Sequence, residues 1–343
     1  DKFTLNPMRY IGGKSLLTDN ILNVIHDNTE NVRSVTDIFS GSGAVAHALK
    51  SNGFSVTAND LLYFSYVINR GTLCNNRTTN KIHELIQYLN NLPTNQADPN
   101  NPLNFIANNY TPNNNCNRMY FQRDNALKID IIRQEIENLR PELTGNEYFY
   151  LLASLINAVP YVANITGTYA AYLKYWDART YKTLTLEPLP LVPSNKKCRS
   201  FNLPAEELAK QIRTDVAYLD PPYNGREYLP NYHILETIAR YDYPEIRGIT
   251  GMRTQNDAKS DFCRKATVAH AFQNLLQNLN CKYILISYNT EGLLSTEQLV
   301  DIVKANGIQY TFQLFEFNYR RYKSKIPNNE IGLKEQLYFI QKR

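Results

Sequence analysis

Apolar side chains recur along this chain in two rhythms, one helical and one strand-like, and the two alternate near both ends. Over residues 13–26, Leu16, Leu17, Ile21, Leu22 and Ile25 fall on one side of a helix. Residues 35–39 then read as a strand, Ser40-Gly41-Ser42-Gly43 as a tight turn and 44–50 as a helix. A second strand over 54–58 ends at Asn59-Asp60. Strand, turn, helix and strand in that order open a doubly wound α/β sheet. From about 71 to 124 the pattern dissolves into Asn, Thr and Pro, densest at 92–102 and 108–117, which favours turns and loops. Helical spacing returns with Leu127, Ile131, Ile132, Ile136 and Leu139, and again with Tyr148, Leu151, Leu152, Leu155 and Ile156. Residues 179–200 carry several prolines and read as connecting structure. The strand rhythm resumes at Val216-Ala217-Tyr218-Leu219, and a long helix fits 260–279. Then come a buried strand at 283–287, a helix at 295–305 and strands at 310–317 and 336–341. The pattern therefore predicts an α/β fold in which residues 1–70 and 201–343 form one split domain. Residues 71–200 form a mainly helical insert between its halves.

Composition narrows what such a fold could do. The chain has 343 residues, 43% of them hydrophobic, enough for a sizeable core. A net charge of +5 is compatible with a polyanionic partner without requiring one. The 5 Cys include no C-x-x-C pair and the 5 His no ligand-like spacing, so neither a disulfide framework nor a metal site is expected. No apolar run approaches the ~18 residues that span a bilayer, and no signal-peptide pattern opens the chain. A reducing, cytoplasmic setting is expected.

Four stretches carry candidate chemistry. In Asp37-Ile38-Phe39-Ser40-Gly41-Ser42-Gly43, the glycines let backbone approach a ligand and turn sharply into a helix. Asp60, at the end of the next strand, is placed to accept hydrogen bonds from ribose hydroxyls. Ala46 replaces the third Gly of G-x-G-x-x-G, so this motif alone does not exclude a dinucleotide. The segment Arg9-Tyr10-Ile11-Gly12-Gly13-Lys14-Ser15 ends like a P-loop, but Met8 stands where the first Gly belongs and no strand precedes it. A double Gly with Lys14 could instead close over a bound cofactor. Asp220-Pro221-Pro222-Tyr223 follows the strand at 216–219. Alone, it fits a strand-ending turn and an amine-holding site equally well. In the second reading, Asp220 and the carbonyl of Pro221 accept the two N–H bonds of one amine. They thereby draw its lone pair out of conjugation, toward an electrophile. Tyr223 would stack on the heterocycle, and a base in a duplex would have to be flipped out to reach it. Finally, the stretch 319–325, together with Arg240, Arg247, Arg253 and Lys259, interleaves Tyr with Arg and Lys, which suits phosphate contacts with stacking. A charged surface hairpin accounts for it nearly as well.

Together, R-Y-I-G-G-K at 9–14, F-S-G-S-G at 39–43 and D-P-P-Y at 220–223 resemble the alpha-class adenine-N6 DNA methyltransferases. The likeness extends to Asn231-Tyr232-His233, Ile286-Ser287-Tyr288-Asn289 and the 319–323 stretch, and so over nearly the whole chain. It implies a Rossmann-like methyltransferase sheet with an inserted target-recognition region. It further implies that Tyr10, Gly12, Lys14, Phe39, Gly41, Gly43 and Asp60 bind S-adenosyl-L-methionine. Asp220, Pro221, Pro222 and Tyr223 would be catalytic, and Arg226, Arg253, Arg320, Arg321 and Lys323 would contact DNA. The implied enzyme is bacterial and methylates N6 of a flipped adenine in double-stranded DNA. It would be the modification half of a restriction–modification pair with a cognate endonuclease, without metal or membrane. RNA adenine-N6 or cytosine-N4 methylation, or DNA binding without catalysis, are the competing readings.

Overall fold

A computed structural model describes residues 15–95, 98, 100–222, 229–254, 260–318 and 334–343. In chain order the strands are β1 Ser34–Asp37, β2 Ser55–Asn59, β3 Arg199–Phe201, β4 Arg213–Leu219, β5 Ile246–Arg247, β6 Met252–Arg253, β7 Asn280–Asn289, β8 Gln313–Asn318 and β9 Lys334–Gln341. Seven of them form one sheet in the order β3-β2-β1-β4-β7-β9-β8, while β5 and β6 make a separate ribbon. β3, β2, β1, β4 and β7 run parallel, and β9 runs antiparallel to both β7 and β8. The α/β doubly wound expectation is met.

The central strands are apolar because helices cover both of their faces. Along β4, Val216 and Tyr218 point into one apolar cluster and Ala217 and Leu219 into the other, the period of 2 that a pleated strand imposes. The first face is covered by α1 (Ser15–Asn28) and α2 (Ala44–Ser51), through Leu17, Ile21, Ile25, Val45 and Leu49. The second is covered by α8 (Ala205–Ala209), α10 (Val268–Asn278) and α11 (Thr296–Ala305). Before α8 in the chain come α3 (Tyr63–Thr72), α4 (Asn80–Asn90), α5 (Phe105–Tyr110), α6 (Arg123–Leu139) and α7 (Gly145–Ala158); α9 spans Leu229–Arg240. α3 to α7 and α9 share the third and largest apolar cluster, with members from Leu62 to Leu189 and from Leu229 to Ala239. That cluster runs past residues 70 and 201, so the insert packs on α3 and α9 as one body. α3 and α7 approach so closely that a Cβ on Gly71 would lie 2.4 Å from the Phe149 carbonyl oxygen.

Several elements differ from the sequence expectation, among them β3, an edge strand of the main sheet at the end of the stretch read as connecting structure. The Asn-rich stretch holds α4 and α5 rather than loops alone. α4 forms because the Thr79 hydroxyl accepts from the Ile82 N–H at 3.3 Å, capping the first turn, while Ile82, Ile86 and Leu89 bury one face. Over 260–279, α10 begins only at Val268, after a 3₁₀ turn at Asp261–Cys263 tied down by Thr267 Oγ1 donating to the Asp261 carbonyl at 2.7 Å. Residues Gln309–Thr311 likewise form a 3₁₀ turn, and β8 starts two residues later, at Gln313.

Candidate active site

The order of the sheet reverses between β1 and β4. The chain winds outward from β1 to β2 and β3 on one side, then from β4 to β7 on the other. At such a switch point the loops leaving the carboxyl ends of the two strands part, and a ligand crevice opens between them. Asp37 lies opposite Tyr218 in the parallel register, so the glycine turn and the segment Asp220-Pro221-Pro222 leave adjacent strands at nearly the same level. The Ile38 N–H donates to the Tyr218 carbonyl at 3.0 Å and holds the two exits together.

The glycine turn is fixed from three directions. Gly41 and Gly43 have φ of 52° and 86°, the left-handed region in which a Cβ is strained. A Cβ on Gly43 would also come within 2.1 Å of Asn69 Oδ1. Asn69, buried on α3, donates through Nδ2 to Ser40 Oγ (3.2 Å), the Gly41 carbonyl (3.2 Å) and the Ser65 carbonyl (3.0 Å). His47 on α2 lies 2.7 Å from the Gly43 carbonyl and 3.0 Å from Thr72 Oγ1. Burial lowers its pKa to about 4, so it is a neutral structural group.

Asp60 supplies the acidic side of the crevice. Its Oδ2 accepts from the Gly41 N–H at 2.8 Å and its Oδ1 from the Leu62 N–H at 2.9 Å. Each oxygen keeps a lone pair for a further donor. Burial pushes its carboxyl up to about 6, with a smaller push from Glu236, against the pull of the Leu62 and Gly41 N–H groups. Phe39 is half-buried, and its ring meets that of Phe262 edge-on at 5.2 Å. Asp220 is half-buried on the adjoining strand, ahead of buried Pro221 and Pro222. Behind it, the Tyr218 hydroxyl and Ser287 Oγ hydrogen-bond at 2.7 Å. Burial raises the Tyr218 pKa well above its ordinary value, and the nearby charges of Asp220 and Asp37 add to the shift.

The structure thus brings together Phe39, Gly41, Gly43, Asp60, Asp220, Pro221 and Pro222. Tyr10, Gly12, Lys14, Tyr223, Arg226, Arg320, Arg321 and Lys323 lie outside the described residues. Arg253 does not meet its expectation of a DNA contact. It is 3% exposed, and its guanidinium is engaged by Asp242 at 2.6 and 3.1 Å and by Thr237 Oγ1 at 3.2 Å. It joins the β5–β6 ribbon to the end of α9. Sequence reading passed over Asn69, visible only as a polar residue among the apolar positions of α3. It also passed over Glu236 on α9, whose carboxylate accepts from the Tyr63 and Phe64 N–H groups at 3.0 and 2.8 Å. Among the described residues, no group of three or more His, Cys, Asp or Glu is arranged to hold a metal ion, and no helix is long and apolar enough to cross a membrane.

A mostly parallel sheet with a glycine turn and a carboxylate flanking its switch point is the arrangement of the α/β proteins that bind nucleotide-type ligands. The family model for D12 class N6 adenine-specific DNA methyltransferases matches residues 10–302, and the chain belongs to that family. It is 41% identical over 98% of its length to type II methyltransferase M.FokI from Planomicrobium okeanokoites, and 37% identical to modification methylase StsI from Streptococcus sanguinis. It covers 53% and 52% of those two proteins, so it spans about half their length. It is 35% identical to type II methyltransferase M.NlaIII from Neisseria lactamica, covering 94% of each chain.

Proposed function

We propose that this protein transfers a methyl group from S-adenosyl-L-methionine to N6 of an adenine flipped out of duplex DNA, as the modification enzyme of a restriction–modification system. The observation that carries the reading is the placement of Asp220-Pro221-Pro222 and the Phe39–Gly43 turn on neighbouring parallel strands at the switch point. The residues present fit the cofactor. Asp60 offers lone pairs for the ribose hydroxyls, and the left-handed glycines keep side chains off the turn. Phe39, Gly41, Gly43 and Asp60 would hold it, with Tyr10, Gly12 and Lys14 completing the site. Bound there, it supplies an electrophilic methyl group on sulfur.

Asp220 and the Pro221 carbonyl accept the two N–H bonds of the adenine amine and direct its lone pair toward that methyl. The rigid double proline fixes where the acceptors point, and Tyr223 stacks on the ring. The apolar packing around β4 withholds water, so two neutral or singly charged acceptors act strongly without metal. Duplex DNA would meet Arg226, Arg320, Arg321 and Lys323, together with a part of the insert where Lys174, Tyr175, Tyr181 and Lys182 are exposed. A cognate endonuclease would read the same sequence. DNA from a bacterial host expressing the protein should carry N6-methyladenine within one short sequence. Host DNA with no added methyladenine would overturn the proposal.

A further inference from the structure

The helix α3 starts two residues after Asp60 with Leu62 at its N-cap, a residue with no side-chain acceptor. The opening N–H groups of a helix need partners, and left buried and unpaired each costs about 1–3 kcal/mol. Two carboxylates supply them. Asp60 Oδ1 takes the Leu62 N–H at 2.9 Å, while Glu236 Oε2 and Oε1 take those of Tyr63 and Phe64 at 3.0 and 2.8 Å. Glu236 comes from α9, far along the chain and just beyond the amine-holding segment. It is 2% exposed, and it pairs with Arg240 at 3.6 Å, whose guanidinium also lies 5.3 Å from the centre of the Tyr63 ring. A charge so deeply buried is costly to keep unless its partners reward it. A Ser, Thr, Asp or Asn at position 62 would cap the same helix locally.

We propose that Glu236 is a positioning residue for cofactor binding at Asp60. By spanning from α9 to the first turn of α3, it fixes the start of that helix and with it the Leu62 N–H that orients the Asp60 carboxylate. The inference rests on the cofactor role proposed for Asp60. Through Oδ2 of Asp60 the contacts continue to the Gly41 N–H at 2.8 Å, so the first turn of α3 links α9 to the glycine turn. The charges facing this run are few. Glu236 faces Arg240, Arg253 and Asp60, Arg253 is itself paired with Asp242, and Asp60 faces Glu236.

The test is the affinity of the intact protein for S-adenosyl-L-methionine, measured by calorimetry from pH 5 to pH 8. Asp60→Asn should abolish the acid limb of the wild-type profile; a limb that persists would overturn the cofactor role of Asp60, and this inference with it. Given that control, Glu236→Gln removes the neighbouring negative charge and should move the midpoint of the limb down by roughly half a unit to one unit. It should also weaken binding several-fold at pH 8. Glu236→Asp keeps the charge but shortens the reach, and should weaken binding at pH 8 with the midpoint unmoved. The midpoint reports only the neighbouring charge, whereas a residue that merely stabilised the fold would lower the melting temperature and leave the affinity at pH 8 unchanged. A folded Glu236→Gln protein with wild-type affinity at pH 8 would overturn the proposal. Should that variant not fold, Glu236→Asp with wild-type affinity would overturn it equally.

Discussion

The two aspartates of the crevice are asked to do different things, and each leaves a distinct trace. In the proposed reaction Asp220 acts on the amine, so Asp220→Ala should reduce methyl transfer on the order of a hundred- to a thousandfold, the cost of losing one preorganised polar group. Affinity for S-adenosyl-L-methionine should stay within a few-fold of wild type, because Asp60 and the glycine turn are untouched. Single-turnover kinetics beside calorimetry separate the two. In its proposed role, Asp60 would accept from ribose hydroxyls best when ionised. Its carboxyl titrates at about 6, above the ordinary carboxylate range, because burial disfavours the charge. Cofactor affinity should therefore be complete above that pH and fall as pH drops through it, up to about tenfold per unit. Both aspartates were legible in the sequence, since each ends a strand where a ligand-binding turn belongs. Glu236 and Asn69 were not. Their roles depend on contacts between α9, α3 and the glycine turn, and no local spacing encodes a contact between residues 172 or 173 positions apart.

At the level of elements, Arg253 shows how a plausible charge is misread. In sequence it is a cation in a polar stretch after the tetrapeptide, where a phosphate contact seems natural. In the fold, the short β5–β6 ribbon turns it inward against Asp242 and Thr237. Arg253→Met should destabilise the protein by about 3 kcal/mol, the lower end of the range for breaking a buried pair, because Asp242 keeps partial contact with solvent. Chemical denaturation checks this, and the salt dependence of DNA binding should be unchanged. If instead stability holds and the salt slope drops by about one, Arg253 is a phosphate contact after all. The helices tell a similar story. α6 and α7 were readable from long apolar repeats, and α7 carries a capping box of Thr144 and Glu147. α4 was hidden because only three of its residues are buried, and because Thr79, read as a loop former, serves as its cap.

For the whole molecule, the sheet was the most legible part. Its central strands are covered on both faces and so appear as short apolar runs, and each is followed by a turn whose residues have no other use. The border of the insert was less so. Apolar spacing tells which face of a helix is buried, but not against what, and α3 and α9 bury theirs against α6 and α7 rather than against the sheet alone. That packing joins α3, which follows Asp60, α9 and the insert in one structure, as the proposed reaction would require. The central claim is the transfer itself. Incubating the protein with duplex DNA, RNA and S-adenosyl-L-methionine labelled in the methyl group, then separating the nucleosides, tests it most directly. The account predicts label in N6-methyldeoxyadenosine from the duplex alone. Label found only in RNA, or only in N4-methyldeoxycytidine, would contradict it.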